Sequence, residues 1–158
     1  MADSFRSHLV WSGAGKGPTR DPSFSRDLRV SIGPIAVEMS SAPGFRGDAA
    51  RANPEQLFVA SLSACHALTY LFLAARNGIV VVGYADDAEG WLERDDGPMR
   101  MTRVTLRPHI VLEKGSDAAK ASQLFATAHA QCFIGNSVST MVTIEPRVEL
   151  ATTTAMVA

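Results

Sequence analysis

Cys65 and Cys132 are the only two thiols among the 158 residues, and they are the side chains best suited to redox chemistry. They stand far apart in the chain, so they make no CxxC pair of the kind used by zinc knuckles or thioredoxin-like sites. A thiol inside an apolar helix is ordinarily inert, because burial disfavours the thiolate. Peroxide reduction needs a thiolate to attack oxygen, a cation to stabilise it and guide the leaving group, and a second thiol to resolve the sulfenic acid. Cys65 as nucleophile, Cys132 as resolver and one of the early arginines as activator would be sufficient. Glu55 would act on the arginine through a bidentate pair, since a carboxylate beside sulfur opposes the thiolate. Two other readings stand beside this one. The cysteines are two unreactive buried thiols, or they form a structural disulfide, which would stabilise by roughly 4 kcal/mol through chain entropy but would be opposed by cytosolic reductants.

The element that must position Cys65 is the most clearly bounded in the chain. Asn53 is placed to cap a helix, Pro54 occupies its first position, Glu55 lies near its positive dipole end, and Arg76 precedes the terminating Gly78. From Leu57 to Ala75 the helix carries no formal charge, nearly the length of about 20 residues that spans a bilayer. Ser61, Ser63, His66 and Thr69 within it, and strand-like sequence on both sides, favour a soluble helix that is apolar all round because it is buried on all sides. One small domain rarely buries such a helix completely, so a second subunit is expected.

Before the helix, residues 5–11, 25–32 and 35–40 read as strands, the last two joined by the turn dipeptide Gly33-Pro34. After it, residues 79–82, 86–94 and 101–113 look extended and form a long hairpin about Asp95-Asp96-Gly97-Pro98. A second helix begins at Asp117 and runs toward Cys132, and residues 141–150 read as a final strand. The order β-β-β-α-β-β-α-β predicts an α+β fold with largely antiparallel pairing around the long central helix. Length predicts one domain over residues 1–158, large enough to need no staple.

Composition narrows the partners. A net charge of −1 supplies no basic field for nucleic acid or anionic lipid, and the N-terminus lacks the basic-then-apolar pattern of a secretory signal, so a cytoplasmic location is expected. The four histidines and two cysteines show no metal-ligand spacing, and neither a metal nor a cofactor is expected. His66 follows Cys65 by one residue, about 100° around the helix, and reads as a packed, hydrogen-bonded histidine. His129 precedes Cys132 by three and falls on a similar face. Arg46-Gly47-Asp48 reads as a chance adhesion-like tripeptide in a loop.

Three blocks carry a resemblance: residues 53–58 (NPEQLF), 61–66 (SLSACH) and 128–137 (AHAQCFIGNS). In that order and spacing they resemble the OsmC/Ohr family of osmotically inducible and organic hydroperoxide resistance proteins, over roughly Trp11 to Leu150. The resemblance implies a thiol-dependent peroxidase that reduces organic hydroperoxides to alcohols, regenerated by a dithiol such as a lipoyl group and built as an intertwined homodimer. It implies that Cys65 is the peroxidatic thiol, Cys132 the resolving thiol with which it forms a disulfide, and Glu55 the carboxylate that orients the activating arginine. Arg26, in Ser25-Arg26-Asp27, looks like the family's Arg-Asp pair on an early strand. Phe133 stands where Ohr-type members carry proline, which places the chain in an OsmC-like branch.

Glu55 and Cys65 are ten residues apart, about 15 Å along one straight helix. They cannot share a compact site within one chain, so the carboxylate and arginine of one subunit are expected to meet the cysteine of the other. Phe58, Leu62, Leu68 and Phe133 are the candidate lining of an apolar substrate pocket. The competing reading is a dimeric thiol domain that senses redox state or binds a small apolar ligand without efficient turnover.

Overall fold

A computed structural model describes residues 2–13, 15 and 17–152; the remainder of the expected 1–158 domain lies outside the described residues. The chain divides into two compact units, one ending at Leu57 and one beginning at Phe58.

The first unit is a three-stranded antiparallel sheet of β1 (Ser7–Val10), β2 (Leu28–Ile32) and β3 (Ile35–Met39). Ile32 pairs with Ile35, so the connection is the two-residue turn Gly33-Pro34, and Gly33 takes the φ of +57° that such a turn requires. The strands are shorter than the residue pattern suggested. β2 begins at Leu28, which leaves Arg26 and Asp27 in the approach to the strand. The segment after β3 is held by its polar groups: Ser40 accepts from the Asp48 amide at 3.1 Å and the Ser40 amide donates to the Ala52 carbonyl at 2.9 Å. Arg46 closes a short 3-10 turn (Pro43–Phe45) at φ 65°, and a Cβ on Gly47 would sit 1.5 Å from the Ser41 carbonyl oxygen. The Arg46-Gly47-Asp48 tripeptide is therefore a backbone turn with a structural reason for its glycine. Arg51 gathers the acidic side chains of this unit, facing Glu38 at 3.2 Å, Asp48 at 3.4 Å and Asp27 at 3.9 Å.

Helix α1 (Pro54–Arg76) starts where expected. Asn53 Oδ1 accepts from the Gln56 amide at 2.9 Å, and Gln56 Oε1 accepts from the Asn53 amide at 3.0 Å, a reciprocal capping box that satisfies two of the otherwise orphaned N–H groups.

The second unit contains the rest of the chain. The two stretches expected at 79–82 and 86–94 become β4 (Val81–Asp86) and β5 (Glu89–Glu93), the single stretch expected at 101–113 divides into β6 (Arg100–Leu106) and β7 (Pro108–Leu112), and the final strand divides into β8 (Met141–Ile144) and β9 (Arg147–Leu150). Prolines explain two breaks: Pro108 and Pro146 lack the N–H that a continuous ladder would use. The halves sort into two sheets, β4-β7-β9 and β5-β6-β8; within each, the hairpin pair is antiparallel and the C-terminal strand adds parallel.

Helix α2 (Ala118–Gln131) is capped by Asp117, which accepts from the Lys120 amide at 2.9 Å. Its buried face, Ala121, Leu124, Phe125 and Ala128, packs with Tyr70, Leu73 and Ala74 of α1 and with Ile110 and Leu112 of β7 in the larger core. Tyr70 stacks on Phe125 at 4.3 Å between centroids and donates its hydroxyl to the Ala121 carbonyl at 3.1 Å, and burial pushes its pKa up to about 12. A smaller cluster forms around Leu62, Val104 and Leu106. Asp86 ties the elements together, accepting from Ser63 of α1 at 2.5 Å and from the Arg107 amide at 2.7 Å. The expected burial of α1 on all sides is met on one face only: Leu62, His66, Tyr70, Leu73 and Ala74 are buried, while Leu68 and Phe72 are 70% and 57% exposed. By length and apolarity α1 would pass for a membrane span.

Candidate active site

The turn that follows α2 brings the two cysteines together. Cys132 is the C-cap residue of α2: its amide still donates to the His129 carbonyl, at 3.3 Å, but its ψ of 114° ends the helix. The chain then folds back through a 3-10 turn (Gly135–Ser137), and two consecutive amides face sulfur. Ile134 N–H donates to Cys65 Sγ at 3.5 Å and Gly135 N–H donates to Cys132 Sγ at 3.4 Å. Both cysteines are free thiols, Cys132 buried at 2% exposure and Cys65 half-buried. Burial pushes the Cys132 thiol up, the neighbouring Cys65 adds to that rise, and the Gly135 and Ile134 amides oppose it.

Asn136 and Ser137 fasten the turn. The Asn136 carboxamide donates to the Ala130 carbonyl at 3.0 Å and to the Cys132 carbonyl at 2.8 Å, and its own amide donates to the Cys132 carbonyl at 2.9 Å. These bonds satisfy carbonyls that the end of α2 would otherwise leave unpaired. Ser137 Oγ donates to the Phe133 carbonyl at 2.7 Å. A Cβ on residue 135 would lie 3.4 Å from Cys132 Cβ and 3.5 Å from its sulfur, ordinary contact distances.

An open groove of about 640 Å³ runs past this turn, lined by Leu68, Thr69 and Phe72 of α1 and by Ala130, Gln131, Phe133 and Asn136. Two of the four expected lining residues are there, Leu68 and Phe133. The other two are not. Leu62 is 1% exposed and forms the smaller core, and Phe58 packs against that same cluster. Thr69 and Phe72 replace them, on the face of α1 that also carries Leu68. Phe72 follows Leu68 by four residues and Cys65 by seven, and that helical repeat is the signal that could have found it.

His66 is packed as expected, stacked on Phe125 and 1% exposed, but among the described residues neither ring nitrogen has the expected hydrogen-bond partner of normal geometry. Burial, and then the neighbouring His129, push its pKa down against weaker opposing effects of Asp86 and the Phe125 backbone.

Arg26 and Glu55 are not brought together. Arg26 donates to the Phe24 carbonyl and lies over the Phe24 ring, 3.8 Å from its centroid, and makes no ion pair among the described residues. Glu55 lies in the first turn of α1 with Oε2 shielded from solvent and unpartnered among the described residues. Because α1 is continuous from Pro54 to Arg76, the separation of Glu55 and Cys65 stays at about 15 Å along its axis. Among the described residues no group of three or more His, Cys, Asp or Glu side chains is arranged to hold a metal ion.

An α+β chain with two free thiols held by one turn against a long apolar helix is a paired-cysteine fold, and the family follows from comparison. The chain belongs to the OsmC family: the model of OsmC-like proteins matches residues 47–147. It is similar to an OsmC-like protein of unknown function from Vibrio cholerae, at 29% identity and a TM-score of 0.85, covering 92% of this chain and 99% of that one. It is also similar in fold to an organic hydroperoxide resistance protein from Elizabethkingia anophelis (21% identity, TM-score 0.68, 96% and 100% covered). The organic hydroperoxide resistance protein OhrB of Bacillus subtilis is a further likeness of fold (21%, 0.62, 94% and 98%). Among curated proteins there is no significant match.

Proposed function

We propose that this protein is a cysteine-based peroxidase that reduces organic hydroperoxides to alcohols in the cytoplasm. The observation that carries the reading is the pair of free thiols whose sulfurs accept from the consecutive amides of Ile134 and Gly135. The Cys65 thiolate attacks the peroxide oxygen, the O–O bond breaks, and the alkoxide takes a proton to leave as alcohol. Cys65 is now a sulfenic acid. The Cys132 sulfur attacks it, the S–S bond forms, and the hydroxyl leaves with a proton as water. A dithiol of the lipoyl class returns the two electrons by disulfide exchange. Membership of the OsmC family, and the names of relatives in organic hydroperoxide resistance, support the same class of substrate. The apolar groove beside the turn suits an alkyl or aryl peroxide.

In this reading Arg26 supplies the cation and Glu55 orients it, and both serve Cys65 of a second subunit in a homodimer. Arg26 must first exchange its Phe24 contacts, of which the cation–π part is worth about 0.5–1 kcal/mol, for a charge-assisted pair that is stronger. The unpartnered Glu55 oxygen is the group left for it to meet.

The test is consumption of cumene hydroperoxide in the presence of dihydrolipoamide, with a thiol count after one equivalent of peroxide. Two thiols lost per chain, one in a Cys132→Ser variant and turnover absent in Cys65→Ser, is the expected result. Consumption no faster than the Cys65→Ser control rejects the enzyme and leaves a sensing or ligand-binding thiol protein.

A further inference from the structure

We propose that Asn136 is a positioning residue for the resolving half of this two-thiol site, aiming the Ile134 and Gly135 amides at the sulfurs by clamping the end of α2. The inference rests on the functional reading above and assigns a role that the thiols, Arg26 and Glu55 do not fill. Cys132 is 2% exposed, and to attack the Cys65 sulfenic acid it must give up its proton inside that apolar setting. The groups opposing the effect of burial on Cys132 are the two backbone amides. Among the described residues no arginine or lysine side chain is one of them, so these two N–H bonds, whose directions the hydrogen bonds to sulfur show, are the groups that favour negative charge there.

Those directions depend on the turn. Between Cys132 and Ser137 the backbone is held by the Asn136 amide and by the Ser137 amide, which donates to the Ile134 carbonyl at 3.0 Å. Among the described residues, the side chain that ties this turn back into α2 is Asn136, through Ala130 and Cys132. Ser137 Oγ bonds only within the turn, to Phe133. Without the carboxamide the turn keeps its shape less strictly, and its amides lose aim at the two sulfurs.

The experiment is rapid mixing of the whole protein with one equivalent of cumene hydroperoxide, quenched into N-ethylmaleimide, so that loss of the first and second thiols is followed separately across a pH series. In Asn136→Ala the second thiol should disappear roughly 5- to 10-fold more slowly, as for loss of a hydrogen bond, and this slowing should exceed that of the first thiol, which the variant also touches through the groove and the Ile134 amide. The pH midpoint of the second step should move upward, an effect that simple loosening of the fold does not produce. Asn136→Leu keeps the side chain's size, adds no charge and lacks the N–H donors, so it should behave like Asn136→Ala. Ser122→Ala, which removes a surface bond within α2, should match the parent. A second arm uses diamide, which oxidises the same pair to the disulfide without peroxide. If the parent forms the disulfide with diamide but not with peroxide, the peroxidase reading falls and the diamide rates still test Asn136. Second-step rates and midpoints in both Asn136 variants within twofold of the parent overturn the inference, as does failure of the parent to form the disulfide with either oxidant.

Discussion

The His66 ring lies 8° from parallel with that of Phe125, centroids 6.1 Å apart, and neither of its nitrogens has a hydrogen-bond partner of normal geometry among the described residues. A ring held this way is tolerated neutral and penalised charged. Burial lowers its pKa in the folded chain, whereas the unfolded ring keeps its ordinary value near 6.5. The unfolded state therefore takes up the proton first. Stability is complete above about pH 6.5 and falls below it, by at most about 1.4 kcal/mol per pH unit. Urea unfolding between about pH 8 and about pH 5 should show a falling midpoint in the parent and a flatter one in His66→Leu. Parallel curves would show that His66 is not the group responsible.

The site across two subunits is tested by mixing inactive chains. Cys65→Ser lacks the nucleophile and Glu55→Ala lacks the orienting carboxylate. If these residues act from different chains, random exchange of equal amounts restores one intact site in each mixed dimer, about a quarter of all sites. Peroxide consumption should rise to that level after exchange. Activity that stays at the mean of the two separate variants places Glu55 outside the site of a partner chain.

The groove predicts selectivity by size and polarity. Phe72→Ala removes an aromatic wall from the cavity while leaving both sulfurs untouched. KM for cumene hydroperoxide should rise on the order of tenfold, equivalent to about 1.4 kcal/mol of lost apolar contact, with hydrogen peroxide unaffected. Equal changes for both peroxides would remove the groove from substrate binding.

Stability substitutions separate core from cap. Leu62→Ala should cost about 2–5 kcal/mol, because it opens a cavity among Val104 and Leu106. Asn53→Ala should cost about 1 kcal/mol through loss of the capping box. Denaturant midpoints give the order directly, and a larger loss at Asn53 than at Leu62 would contradict the placement of Leu62 in the core.

Much of α1 was legible because its signals are local: a capping Asn, a first-turn Pro and a charge-free run each act within a few residues. The reciprocal bond from Gln56 is equally local, since Asn-x-x-Gln is a capping-box spacing. Leu62 and Leu68 illustrate what could not be read. Both are leucines on one helix, six residues and about 240° apart around its axis, and only the packing of β6 and α2 decides which is core and which is groove. The strand breaks at Pro108 and Pro146 were visible as residue types, yet period-two alternation runs straight through them. The sulfur-directed amides had no signature at all, because a backbone N–H is the same group at every residue other than proline.

The apolar flank of α1 also bears on how the chain is made and kept. Leu68 and Phe72 face outward on a helix whose most apolar window is 22% buried. If the second subunit of the proposed dimer covers that flank, it arrives by a bimolecular encounter whose rate falls with dilution. Until the encounter occurs, the same surface is open to other unfinished chains. Yield from rapid synthesis is then a race between productive capture and clumping, and a slower rate of synthesis or a mild detergent in the lysate shifts that race toward soluble protein.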